Sequence, residues 1–248
     1  MGAQLDPVHT ISAHSKPLLA GLLYALLWVL GGLGMLRGRR YLESQEMPKP
    51  RHRVFQVDWR WWGQIALLLV SLGLLYLWLA NGTLDMADVG LGRLELWGAS
   101  NLLYVMGIVF GLICLIWIAL LEPDTSLVRR PSLVGLGYTD LLAQGLTREA
   151  GLAILRGALI PLAGSYWGLW LAISVHAAIS LPLARSLLAV PTQRRWLLLQ
   201  LGLDWVGAAI FHFAASAWPG VALRLLSLVL LRFVISLWLC IRLRRDIV

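Results

Sequence analysis

The sequence predicts an all-α fold, a polytopic bundle of about seven transmembrane helices (range six to eight). Its N-terminus is expected outside and its C-terminus in the cytoplasm. Three observations carry this expectation. Of the 248 residues, 59% are hydrophobic and 14% charged, with a mean hydropathy of +0.75, whereas soluble domains carry about 25% charged residues. The apolar residues fall in runs of the length that a hydrocarbon core of about 30 Å requires. The segments between those runs alternate between arginine-rich and arginine-poor, as the positive-inside rule demands of successive crossings. A water-soluble enzyme, a disordered tail and a disulfide scaffold all fit this composition badly. Cys114 and Cys240 lie in apolar runs and read as small hydrophobes rather than a redox pair or metal site.

The first span, residues 17–36, stops at Arg37, Arg39 and Arg40, and the second runs from the Trp61-Trp62 pair to Ala80. The third, 102–121, ends at Glu122-Pro123 and contains Gly107-x-x-x-Gly111, a spacing that lets helices approach closely. A short fourth, 147–162, holds Glu149, Arg156 and Pro161; the fifth is 166–183, the sixth 196–215 and the seventh 221–241. Residues 37–60 carry seven Lys and Arg, whereas 81–101 carry only Arg93. Residues 122–148 hold three arginines and 164–168 none; Arg185, Arg194 and Arg195 follow the fifth span, and Arg242, Arg244 and Arg245 close the chain. Residues 1–36 lack a basic n-region and a small-residue cleavage site, so the first span is expected to remain as an anchor. Asn81-Gly82-Thr83 matches a glycosylation sequon in an expected outside loop.

One membrane domain, 1–248, accounts for the chain. Residues 1–146 form a three-helix scaffold half with a basic cytoplasmic segment at 37–60, and residues 147–248 form a four-helix half. Two segments read as interfacial: 54–62, with Phe55, Trp59, Trp61 and Trp62 among charges, and the glycine-punctuated stretch 132–146. The arginines sit mainly at span ends, where they set topology and meet lipid phosphates. No polar basic domain presents a face to nucleic acid, so no nucleic-acid partner is expected. A retinal Schiff base is also excluded, because Lys16 and Lys49 are the only lysines and neither lies deep in a span.

Ionisable groups in hydrocarbon are costly and usually face protein or a water-filled cavity. Here they collect in the second half: Glu149, Arg156, His176, Asp204, His212, Arg224 and Arg232. Glu149 and Arg156, seven residues apart, share a helix face and suit either an active-site pair or a structural ion pair. Asp204 and Arg232 lie near the middles of consecutive spans and are expected to form a structural ion pair. At 1.5 Å per residue, His176 and His212 differ in depth by roughly 7–9 Å, too much for one metal ion or one haem held by both. Each remains a candidate axial ligand for a pigment or haem. There is no His-Glu-x-x-His and no cysteine cluster, so neither a metal site nor a cofactor is predicted by motif.

Residues 148–184 read REAGLAILRGALIPLAGSYWGLWLAISVHAAISLPLA. This stretch, extending to about Ser216, resembles the CAAX-protease and bacteriocin-processing family of intramembrane proteases. The likeness rests on Arg156-Gly157 with the apolar, proline-containing segment that follows, and on His212 with Ser216 four residues later. The resemblance implies a protease-like helical core in which paired glutamates, aided by histidine, activate water. The double-glutamate positions, however, hold Gly151 and Leu152, with Glu149 two residues earlier. The family's Phe and His positions fall on Ser180 and Ala184.

Three functional expectations follow. The first is a non-catalytic multi-pass membrane protein, an accessory or structural subunit of a membrane complex and a degenerate relative of those proteases. Its expected partners are the lipid bilayer and other membrane subunits. The alternative is an active, divergent intramembrane peptidase using Glu149, Arg156, His176 and His212. The second alternative is a small transporter or a pigment- or haem-binding subunit. The expected location is a bacterial inner membrane or a photosynthetic one, since a Leu-, Arg- and Trp-rich, lysine-poor composition fits a GC-rich bacterial genome.

Overall fold

The computed structural model describes the backbone of residues 7–44, 49–92, 138–188 and 191–245. Every regular element among these described residues is an α-helix. In chain order they are α1 (Pro7–Ser44), α2 (Lys49–Ala80), α3 (Met86–Val89), α4 (Tyr138–Leu188), α5 (Pro191–Ala214) and α6 (Trp218–Arg245). Four contain stretches long and apolar enough to cross a membrane: Ser15–Gly34, Gly63–Ala80, Leu141–Leu181 and Leu197–Ala214. A shorter apolar run, Trp218–Leu230, lies in α6. The expected third span, with its Gly-x-x-x-Gly and Cys114, lies outside the described residues.

The apolar stretch of α4 is 41 residues long, about twice what one crossing needs. It is interrupted at Gly164, whose φ of 78° and ψ of 165° lie in a region open essentially to glycine alone. The chain reverses there. A Cβ on Gly168 would stand 2.5 Å from the Ile160 Cα, yet residues eight apart in one straight helix are separated by about 12 Å. The two limbs of α4 are therefore an antiparallel hairpin, and the break falls between the expected fourth and fifth spans. Glycine at 168 is what allows the limbs to touch backbone to backbone.

Two boundaries differ from the sequence expectation. Residues 138–146 do not form a separate surface segment but continue helically into the first limb of α4. The reason is packing: Leu141 is buried with Leu203 of α5 and Leu228 of α6. Gly145 admits the Leu228 Cδ1 to 3.0 Å of where its own Cβ would stand. The basic stretch 37–60 is likewise largely helical, because α1 continues to Ser44 and α2 begins at Lys49.

The hairpin is the centre of the bundle. On one side, α1 crosses its first limb antiparallel, with Gly21 against Ala158 and Tyr24 against Gly151. Small residues at such crossings let helices approach closely where lipid offers no hydrophobic drive for association. Leu75 of α2, Leu84 and Val89 pack with Ala20, Tyr24, Ile154, Leu155 and Ala172 in one core cluster. A second cluster joins Leu152, Ile160, Leu169 and Ile173 of the hairpin to Ala208 and Phe211 of α5. The opposite face of α1 carries Leu19, Leu22, Leu26 and Leu30, all exposed. Their spacing of three and four residues is that of one helical stripe, here turned to the surroundings.

Between α2 and the hairpin, the chain folds a short cap. The Asp85 carboxylate accepts the Ala87 N–H at 2.8 Å, and Gly90 closes α3 at a φ of 84°. The cap is anchored at two points. The Ala217 N–H donates to the Gly90 carbonyl at 2.9 Å, and Val89 and Leu84 lie directly over Gly157.

A candidate functional site at the buried charge cluster

The second half of the chain buries five ionisable or amide side chains where α4, α5 and α6 meet. Arg224 of α6 is at the centre, 1% exposed. Its Nε donates to the Glu149 Oε1 at 2.6 Å, its Nη1 to the Gln200 Oε1 at 2.9 Å and its Nη2 to the Asp204 Oδ1 at 2.5 Å. One guanidinium thus ties the first limb of α4 to two positions on α5. Asp204 receives a second cation. The Arg148 Nε lies 2.9 Å from both its oxygens, and the Arg148 Nη2 donates to Oδ2 at 2.5 Å. Both carboxylates are therefore held by charge-assisted hydrogen bonds, which are among the stronger ones a protein makes.

Helix register explains why Arg224 meets Asp204. Gly220 of α6 packs against Gly207 of α5, a Cβ on the former standing 3.5 Å from the Cα of the latter. The two helices are antiparallel, so Asp204 is level with residues 223 and 224. Arg232, the partner expected from sequence, is eight residues further along α6, about 12 Å of helix. Its side chain lies outside the described residues. Glu149 likewise engages Arg224 and makes no ion pair with Arg156, although both lie on the first limb of α4.

Arg156 is 4% exposed, and its Nε and Nη2 have no hydrogen-bond partner among the described residues. Its guanidinium carbon stands 4.8 Å from the centroid of the Phe211 ring, a cation–π distance. His176, fully buried on the second limb, faces a different direction. Its ring is 5.5 Å from that of Trp28, and its Nε2 lies 3.3 Å from where a Cβ of Gly151 would stand. Tyr24 Oη also lies against Gly151. Tyr24 Oη, Trp28 Nε1 and both His176 nitrogens lack hydrogen-bond partners among the described residues. His212 is exposed and packs against Tyr166, ring centroids 5.6 Å apart. The structure thus brings Glu149 and Asp204 together through Arg224, and among the described residues neither His176 nor His212 hydrogen-bonds to either carboxylate.

The faces matter chemically. At 100° per residue, Glu149 and Gly151 point about 200° apart around the helix. Glu149 turns to α5 and α6, where its Oε1 stands 3.9 Å from the Cβ position of Gly207. Gly151 turns to α1 and His176. A general base must reach the proton that it abstracts, and the Glu149 carboxylate is engaged elsewhere. Among the described residues, no three His, Cys, Asp or Glu side chains gather as a metal site requires.

Sequence reasoning named Glu149, Arg156, His176, Asp204, His212 and Arg224 but missed Arg148, Gln200, Tyr24 and Trp28. Gln200 had a legible signal, since it precedes Asp204 by four residues and so shares its face. Arg148 lies where the arginine-bearing segment 122–148 meets the expected fourth span, and the helix that starts at Tyr138 carries it into the bundle. No protein-family model matches the chain, and neither does any curated protein or solved structure.

Proposed function

We propose that this is a non-catalytic, multi-pass membrane protein, an accessory or structural subunit of a membrane complex. It is read as a degenerate relative of the CAAX-processing intramembrane proteases, residing in a bacterial inner membrane with about seven spans. The observation that carries this reading is the engagement of Glu149, whose Oε1 accepts from the Arg224 Nε at 2.6 Å on the helix face away from His176. On the protease resemblance, Gly151 and Leu152 stand at the glutamate positions. Neither supplies a carboxylate. The space beside Gly151 is filled by Tyr24 Oη, and Leu152 is 3% exposed within an apolar cluster. Glu149 and Asp204 are thus held in helix-to-helix ion pairs rather than turned toward a reacting bond.

The test is isolation of the native complex in mild detergent, with its subunits identified by mass spectrometry. Stoichiometric membrane partners, retained by the Glu149→Gln variant, are the expected result. Cleavage of a prenylated or membrane-spanning peptide by the purified protein, abolished by both Glu149→Gln and His176→Ala, would overturn the reading in favour of a peptidase.

A further inference from the structure

The ionisable groups at the α4–α5–α6 junction comprise three guanidiniums, the buried Arg156 and Arg224 and the partly buried Arg148, against two buried carboxylates, Glu149 and Asp204. Hydrogen bonds assign both carboxylates to Arg148 and Arg224. Of these three guanidiniums, Arg156 is therefore the one with no ion pair among the described residues. Buried charges are normally paired, and an arginine 4% exposed cannot discharge this requirement into bulk water.

The identity of its open atoms is informative. Nε and Nη2 are the two atoms without partners, and in a planar guanidinium their N–H bonds lie parallel along one edge. That edge is the fork that grips a carboxylate or phosphate with two hydrogen bonds. Arg148 uses the same two atoms to hold Asp204. The Phe211 ring, 4.8 Å from the guanidinium carbon, supplies no oxygen acceptor to that edge. The position lies inside the protein, with Arg156 only 4% exposed.

We infer that the Nε–Nη2 edge of Arg156 is a binding site for an oxyanion, a carboxylate or phosphate group carried either by an anionic lipid headgroup or by a small soluble ion. The site is independent of the accessory-subunit reading, because it concerns a residue that the charge network leaves over.

The experiment uses the full chain, purified in mild detergent with each probe supplied from extraction onward because the site is enclosed. The probes are inorganic phosphate, acetate and phosphatidylglycerol, with phosphatidylcholine as a lipid of no net charge. Binding is read by native mass spectrometry and calorimetry for wild type, Arg156→Gln and Arg156→Lys. Wild type is expected to bind phosphate, acetate or phosphatidylglycerol at least tenfold more tightly than Arg156→Gln. Arg156→Lys, which keeps the charge without the fork, should also fall below wild type. Preference for phosphatidylglycerol over the soluble ions assigns the site to lipid, and the reverse assigns it to a soluble anion. Equal binding by wild type and Arg156→Lys overturns the proposal, as does absence of binding to all three anions, which is also what an acidic side chain of this protein already on that edge would give. If Arg156→Gln does not fold, the comparison with Arg156→Lys decides alone.

Discussion

Arg224→Met removes the one side chain that joins α6 to both Glu149 and Asp204. Its consequence for the two acids is unequal. Asp204 keeps Arg148 on both oxygens, whereas Glu149 loses its only hydrogen bond among the described residues. The Gln200 carbonyl oxygen is also left without its donor. Stranding one partner of a buried ion pair costs about 3–5 kcal/mol, and methionine fills most of the volume, so packing loss adds little. Arg224→Met is therefore expected to lower unfolding free energy by about 3–5 kcal/mol, read by circular dichroism during SDS titration in mixed micelles. Pairing it with Glu149→Gln removes the stranded charge and should restore part of the loss, with a coupling of about 0.5–3 kcal/mol in the double-mutant cycle. Arg224→Lys should fall between, since one ammonium cannot reach three acceptors in this geometry. If Arg224→Met unfolds within about 1 kcal/mol of wild type and the cycle shows no coupling, the network is not what holds these helices together.

Three further outcomes are expected, the first two read in the same assay. Gly151→Ala places a methyl group on Tyr24 Oη and 2.7 Å from Tyr24 Cζ; it should cost about 1–3 kcal/mol, partly recovered when Tyr24→Phe removes the hydroxyl. Gly164→Ala meets no neighbouring atom, so its cost of about 1–3 kcal/mol comes only from the backbone conformation of the turn. Gly202→Ala, helical and equally unobstructed, is the control, with an expected gain of up to about 1 kcal/mol from helix propensity. Gly168→Ala drives a methyl group into the Ile160 backbone and should separate the hairpin limbs, detectable as loss of an engineered cross-link between them.

Much of the helical organisation was legible in the sequence because its signals are local. Runs of leucine and arginine at their ends mark spans by composition alone, and Pro161 with Gly164 marks the reversal inside α4. Pairing was less legible because it depends on register between helices. The sequence offers Asp204 two arginines in the following span, 224 and 232, and only the Gly207–Gly220 contact fixes which of them is level with it. Arg148 shows a different obstacle. Its neighbours 138–146 are too polar and glycine-rich to read as part of a span, yet Leu141 and Gly145 pack against α6 and carry the helix outward past it. Tyr24 and Trp28 carry no signal in sequence, since nothing in α1 shows that Gly151 and His176 lie opposite them.

The way these charges are shared also bears on how the chain enters the bilayer. The first limb of α4 carries Arg148, Glu149 and Arg156 within nine positions, and a translocon charges about 2.5–3.5 kcal/mol for an arginine or aspartate at a helix centre. Alone, that segment partitions poorly. The partners of its charges come later in synthesis: Asp204, which holds Arg148, 56 residues on and Arg224, which holds Glu149, 75 residues on. The limb is therefore expected to linger at the insertion machinery, or at the lipid interface, until α5 and α6 emerge and the three leave together. Truncation after residue 190 should accordingly leave the limb open to modification by a water-soluble reagent during synthesis, whereas the full-length chain should protect it.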